Sequence, residues 1–130
     1  MARTTLYVLG ALFLVSGVWA YFTTPVAGLF PMNAVHAALH LCTGLIMLLV
    51  ALFAPLQSSL ATRIFGILYA VLAIGGFVMG SGLLFGVIDV NLFDNILHVI
   101  IALMLLWAGF AVKTSGDDIS LPSEPMGTGM

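Results

Sequence analysis

Charged residues are scarce in this sequence: it has three Lys and Arg and five Asp and Glu, which is 6% of 130 residues. Soluble domains carry about 25% charged residues, so the chain is not a soluble globular domain. Three cationic side chains provide no basic patch for phosphates, which excludes nucleic acid as a partner. The single cysteine, Cys42, excludes an internal disulfide framework and a cysteine-rich metal site.

Apolar residues are abundant: they make up 62% of the chain, and the mean hydropathy is +1.24. They form four long runs, and each run is close to the roughly 20 residues that a membrane helix needs. Because backbone groups in lipid must be hydrogen-bonded internally, we expect helices. The sequence therefore predicts an all-α membrane protein in the lipid bilayer, with four transmembrane helices over residues 6–22, 34–54, 64–80 and 93–112.

The three positive charges predict the orientation of the helices. Arg3 precedes the first run, Arg63 lies between the second and third runs, and Lys113 follows the fourth. All three fall on one side of the membrane, and positively charged segments stay in the cytoplasm. We therefore predict that both termini are cytoplasmic. Residues 114–130 are polar and acidic and contain two prolines, which predicts a flexible cytoplasmic tail.

Three polar positions recur at a constant offset along the chain: Asn33, His36 and His40 in the first half correspond to Asn91, Asp94 and His98 in the second. Each half comprises a helix, an outer loop and a second helix, so both halves enter the membrane from the same side. We predict one transmembrane domain over 1–113, built from two parallel repeats of about 1–56 and 57–113. A pseudo-two-fold axis along the membrane normal would place His40 and His98 at equal depth.

Two stretches of the chain carry a resemblance to a known family: Gly28-Leu-Phe-Pro-Met-Asn33 with His36 and His40, and Leu83-Leu-Phe-Gly-Val-Ile-Asp-Val-Asn91 with Asp94, Asn95 and His98. They resemble a bacterial membrane family catalogued as domain of unknown function 4383. The resemblance covers roughly residues 3–110. The family has Asn after its first His, whereas this chain has Ala37. The resemblance implies a four-helix protein of the bacterial inner (plasma) membrane and implies no activity.

Ionisable side chains inside membrane helices are costly, so they mark a site or a paired network. His36 and His40 are four residues apart and share one helix face, and Asp94 and His98 do the same. Three imidazoles and one carboxylate are ligands typical of a divalent metal such as zinc, copper, iron or nickel. The four residues therefore predict a metal site near the outer face, on the second and fourth helices.

Two other interpretations of the same residues stay open. In the first, the network is structural: Asp94 accepts hydrogen bonds from His36 or His40, and Asn33, Asn91 and Asn95 cap the outer helix ends. In the second, His40 and His98 are the axial ligands of a haem, or each holds a chlorophyll-type pigment.

No phosphate-binding loop, nucleophile elbow or kinase motif occurs in the sequence, so no catalytic residue is predicted. An apolar chain with short loops favours a non-enzymatic accessory or structural subunit of a larger membrane complex, or a protein that associates with itself. The alternative function is a metal- or cofactor-binding membrane protein that uses the His/His/Asp/His set.

Overall fold

The computed structural model describes residues 1–111, which form four helices and one short β-hairpin. The elements, in chain order, are α1 (Ala2–Phe22), α2 (Ala34–Phe53), a 3₁₀ turn (Pro55–Gln57), α3 (Ser58–Met79), β1 (Gly82–Leu84), β2 (Ile88–Val90) and α4 (Leu92–Phe110). The strands β1 and β2 are antiparallel. Lys113 and the tail predicted for 114–130 lie outside the described residues.

All four helices are long and apolar enough to cross a membrane, which confirms the predicted fold class. They contain 21, 20, 22 and 19 residues. At about 1.5 Å per residue, these lengths match a hydrocarbon core that is about 30 Å thick. The chain is therefore a multi-pass membrane protein.

Two helices begin earlier than the apolar runs predicted. α1 begins at Ala2 instead of residue 6, and α3 begins at Ser58 instead of residue 64. Hydropathy locates the part of a helix that lies in hydrocarbon, but a helix continues into the membrane surface wherever its polar groups find partners. The first turns of α1 and α3 contain threonine, serine and arginine, and these polar residues are not part of the apolar runs from which the helices were predicted.

Two arginines connect the helix ends at one end of the bundle. The Nε of Arg3 donates to the carbonyl oxygen of Ala51 at 2.8 Å, and the Nε of Arg63 donates to that of Gly109 at 2.7 Å. Ala51 lies in the last turn of α2 and Gly109 in the last turn of α4. Each arginine thus satisfies a carbonyl at a helix C-terminus, where a positive charge also stabilises the helix dipole. We call this the arginine end.

The bundle consists of two helical hairpins, because α1 packs mainly against α2 and α3 mainly against α4. Glycines allow the paired helices to approach closely. A Cβ added to Gly44 of α2 would lie 2.7 Å from the carbonyl oxygen of Gly10 in α1. A Cβ added to Gly66 of α3 would lie 2.8 Å from the side chain of Leu106 in α4. Small residues at such crossings are typical of membrane helix pairs.

The two hairpins meet in a core to which all four helices contribute. Its buried residues are Leu6, Leu9, Phe13, Met47, Ala51, Ala61, Tyr69, Ile101, Ala102 and Leu105. Residues 23–33 and 80–91 cover the other end of the bundle, which we call the loop end. The sequence predicted a loop between α3 and α4 but not its strands, in which Leu84, Ile88 and Val90 are buried.

Candidate metal centre

Asparagine caps define where α2 and α4 begin. The side-chain oxygen of Asn33 accepts a hydrogen bond from the backbone N–H of His36 at 2.9 Å. That of Asn91 accepts from the backbone N–H of Asp94 at 3.0 Å, and the Asp94 carboxylate accepts from the Asn91 N–H in return. Such caps satisfy backbone donors that have no partner within the helix. They fix His36 and Asp94 in the first turns of their helices.

The same two asparagines also join the hairpins. The Nδ2 of Asn33 donates to the carbonyl oxygen of Val87 at 2.8 Å, and the Nδ2 of Asn91 donates to that of Leu29 at 2.7 Å. The bonds are reciprocal, because each hairpin supplies the donor of one bond and the acceptor of the other. Each hairpin therefore holds the loop of the other, and this sets the position of α2 relative to α4.

All three histidines of the chain meet near the loop end of the bundle. Each offers one ring nitrogen, and these nitrogens lie within 4.8 Å of one another. The ring centroids of His36 and His40 are 4.7 Å apart, and those of His36 and His98 are 6.2 Å apart. His36 and His98 are buried and His40 is half-buried. We call these three residues the histidine cluster.

Hydrogen bonds determine which ring nitrogen of His36 carries the proton. Its Nδ1 lies 2.8 Å from the carbonyl oxygen of Asp89 in β2. A carbonyl oxygen only accepts, so Nδ1 must donate, and in the neutral ring Nε2 keeps its lone pair. A histidine whose other nitrogen donates to a backbone carbonyl is the usual arrangement of a metal ligand.

The same reasoning applies to His40. Its Nδ1 lies 2.8 Å from the hydroxyl oxygen of Ser16, which also lies 3.1 Å from the carbonyl oxygen of Phe13. The hydroxyl has one proton; when it is donated to Phe13, His40 Nδ1 donates to Ser16, and both contacts are satisfied. The Nε2 of His40 then keeps its lone pair, as in His36. Two bonds from outside the cluster thus leave two ring nitrogens free to bind a metal ion.

His98 differs from the other two histidines. Its Nδ1 is buried and has no hydrogen-bond partner among the described residues. Leu72 of α3 lines the same cavity as His98, and its apolar side chain offers no hydrogen-bond acceptor. A buried polar nitrogen without a partner costs about 1–3 kcal/mol, and a bound ligand relieves such a cost.

A cavity of about 20 Å³ lies among the three imidazoles, and we call it the histidine cavity. A cavity must offer roughly 10–15 Å³ to hold one water molecule, so this one accommodates a single ion or water. It is too small for a tetrapyrrole ring. The remaining lining comes from one aromatic and four aliphatic residues, Tyr69, Leu39, Leu72, Leu84 and Ile88. The last two belong to the β-hairpin, which therefore covers the site.

The other residues predicted for this region lie outside the histidine cluster. Asp94 is buried, but the structure does not place its carboxylate with the three ring nitrogens. One of its oxygens accepts the Asn91 N–H, in place of the hydrogen bond to His36 or His40 that the structural interpretation predicted. Asn95 is buried in α4, where it packs directly on Gly76 of α3.

Three contributors to the cluster were not identified from the sequence. Ser16 and the carbonyl group of Asp89 orient the imidazoles, and Tyr69 packs on the ring of His98 at a centroid distance of 5.5 Å. They lie on α1, β2 and α3, far from the histidines along the chain. Helical spacing within α2 or α4 carries no information about them.

Four transmembrane helices around a group of three histidines, two of them buried, define a polytopic membrane protein with a candidate metal centre. The family model described as "Domain of unknown function (DUF4383)" matches residues 3–111. The chain belongs to this family, which confirms the resemblance seen in the sequence. No curated protein and no solved structure matches the chain.

Proposed function

We propose that this protein binds one transition-metal ion inside the membrane, with His36, His40 and His98 as its ligands. The observation that carries this proposal is the convergence of every histidine of the chain on a cavity for a single ion. His36 and His40 are neighbours on one face of α2, so the informative contact is that of His98, which joins them from the other hairpin. The bonds of His36 and His40 to Asp89 and Ser16 support the proposal because they leave Nε2 available in both rings.

The donor set restricts the metal. Imidazole is a common ligand of zinc, copper, iron and nickel, whereas magnesium and calcium prefer oxygen ligands. Metal–nitrogen bonds of about 2.0–2.1 Å require the three nitrogens to lie roughly 3.3 Å apart in a tetrahedral site. Since the ring nitrogens lie within 4.8 Å of one another, ion binding requires them to approach by up to about 1.5 Å. Three protein ligands leave a fourth position for water or another small ligand, as in catalytic zinc sites.

Metal analysis of the protein purified in mild detergent without chelator tests this proposal. We expect about one equivalent of a transition metal per chain, lost in His36→Ala and in His98→Gln. Asp94→Asn is the matched control because the amide oxygen still accepts the Asn91 N–H, so this variant keeps its metal. Helix content by circular dichroism shows whether each variant is folded. A metal-free wild type, or a folded His98→Gln variant with its full metal content, would overturn the proposal.

For orientation, we propose that the arginine end faces the cytoplasm of a bacterial cell, which places the N-terminus inside and the histidine cluster in the outer half of the plasma membrane. Support comes from Arg3 and Arg63, which lie at the same end of the bundle. Single cysteines at positions 59 and 87, in a Cys42→Ser background, test the orientation. We expect an impermeant maleimide added to intact cells to label only position 87; labelling of position 59 alone would reverse the assignment.

A second candidate function is a non-enzymatic accessory or structural subunit of a larger membrane complex. It is supported by the short loops, since the longest connection between described helices runs from residue 80 to 91. The contact surface of a partner would then lie on the apolar helix faces. Native mass spectrometry after mild extraction tests it: a stable partner or self-association supports this role, and a lone monomer argues against it.

A further inference from the structure

A second cavity, of about 320 Å³, separates α1 from α4 and shares His40 with the histidine cavity. Apolar side chains of the two helices form its walls, and Val26, Phe30 and Met32 cover it at the loop end. A neighbouring cavity of about 150 Å³ shares Val8 with it and continues towards the arginine end. We call the two cavities together the α1–α4 cleft.

The α1–α4 cleft opens sideways into the membrane. Four of its lining side chains, Val8, Leu12, Ile100 and Met104, are 44–59% exposed. All four lie in transmembrane helices, so the surrounding medium at the mouth is hydrocarbon. A molecule can therefore reach the cleft from the bilayer without passing through water.

Polar groups line only one part of the larger cavity. Ser16, His40 and Asp94 all lie near the loop end, and the other lining residues are apolar. The lining of the cleft extends along α1 from Thr4 to Ser16. Twelve residues at a rise of about 1.5 Å give a length of roughly 18 Å, which is more than half of the hydrocarbon core. The cleft is thus long and apolar along most of its length, with Ser16, His40 and Asp94 at the loop end and only two threonine hydroxyls, Thr4 and Thr5, at the arginine end.

We propose that the α1–α4 cleft binds a single-chain amphiphile from the bilayer, with its alkyl or prenyl chain along the cleft and a hydroxyl-bearing head at Asp94 and Ser16. Ligand pockets of about 300–1,000 Å³ with few convergent polar groups are typical of small-molecule sites. A carboxylate accepts a hydrogen bond from a hydroxyl and repels a phosphate or carboxylate head. Arg3 and Arg63 bind carbonyls at the opposite end, so neither neutralises Asp94.

The proposal is supported by the correspondence between the two cavities. Val26 and Phe30 line the cleft, and their repeat equivalents, Leu84 and Ile88, line the histidine cavity. In each hairpin, the loop between the two helices therefore covers a cavity. The two cavities differ in size and polar groups, so they suit different ligands: one ion in the first, and a chain-bearing molecule in the second. The proposal does not depend on a metal in the histidine cluster.

Photolabelling tests the proposal, with full-length protein in phosphatidylcholine vesicles. The probe is a long-chain alcohol with a diazirine in its chain, and mass spectrometry locates the labelled residues. We expect label on the cleft residues Leu12 and Met104. Met104→Trp should reduce it by about tenfold, equivalent to about 1.4 kcal/mol. Leu103→Trp is the control, since Leu103 is exposed on the same helix but does not line the cleft. Label spread evenly over the exposed helix faces would overturn the proposal.

The head group is tested with the fatty acid of the same chain length and diazirine position. We expect the acid to label the cleft of the wild type much less than the alcohol does. Asp94→Asn removes the charge and keeps the acceptor for the Asn91 N–H, so this variant should label equally with both probes. Equal labelling of the wild type by acid and alcohol would refute the role of Asp94.

Discussion

Asn33 makes two hydrogen bonds that substitutions can separate. Its side-chain oxygen caps α2 at the His36 N–H, and its Nδ2 donates to the carbonyl oxygen of Val87 in the other hairpin. Asn33→Ser keeps a good N-cap acceptor but is too short and has no amide group to reach Val87. Asn33→Ala removes both bonds. The difference in unfolding free energy between the two variants therefore measures the contribution of the N-cap. The unfolding free energy lost in Asn33→Ser measures the contribution of the bond between the hairpins.

The expected magnitudes follow from these two bonds. Loss of an N-cap costs about 0.5–2 kcal/mol of unfolding free energy. Loss of a hydrogen bond costs about 0.5–1.5 kcal/mol, and the Asn33–Val87 bond is exposed, so we expect about 0.5 kcal/mol for Asn33→Ser. Asn33→Ala should then lose roughly 1–2.5 kcal/mol. Asn91→Ser, which loses the matching bond to Leu29, should resemble Asn33→Ser.

Reversible unfolding of the full chain in mixed micelles with increasing dodecyl sulfate provides the assay, with helix content as the signal. If Asn33→Ser unfolds at the same dodecyl sulfate fraction as the wild type, the bond to Val87 does not hold the hairpins together. If Asn33→Ser is as unstable as Asn33→Ala, the cap contributes nothing. Either result would refute the reasoning from the geometry of Asn33.

Three further predictions concern other parts of the bundle. Gly44→Ala brings a methyl group to the carbonyl oxygen of Gly10, so we expect a loss of about 1–3 kcal/mol in the same unfolding assay; an unchanged stability would show that the helices separate freely. Ser16→Ala removes the acceptor of His40 Nδ1 and should lower metal affinity about 10–100-fold in a chelator competition, with the stoichiometry kept; an unchanged affinity would contradict the assigned tautomer. Arg63→Gln removes the positive charge at the C-terminus of α4, so we expect faster amide hydrogen exchange in the last turn of that helix. Unchanged exchange would show that water satisfies these carbonyls as well as Arg63 does.

The four helices could be predicted from the sequence because apolar runs of this length have few other stable structures in a membrane. Convergence of the histidines depends on tertiary packing, which helical spacing does not determine. The pairs His36/His40 and Asp94/His98 have the same spacing, and from spacing alone both pairs were expected in one site. The structure brings His98 to the first pair, whereas the Asp94 carboxylate bonds to the Asn91 N–H.

This difference between Asp94 and the histidines has a local cause. An aspartate three residues after an N-cap bonds readily to the backbone N–H of the cap residue, and such a local bond competes with more distant partners. A histidine at the same position of α2 does not make this bond, and His36 Nδ1 instead bonds to Asp89. The sequence indicates that Asn91 is an N-cap, but it does not show whether Asp94 bonds to the Asn91 N–H or to a more distant partner. The α1–α4 cleft was also beyond prediction, because it depends on how far apart the hairpins pack.

The reciprocal bonds of Asn33 and Asn91 make each hairpin self-complementary in principle. A hairpin that has both an N-cap asparagine and a loop carbonyl offers one donor and one acceptor to its neighbour. Two copies of one such hairpin would satisfy each other in the same way, with no change in the pattern of bonds. At these two bonds the halves of this chain contact each other as two copies in a symmetric dimer would, except that a covalent connection joins α2 to α3.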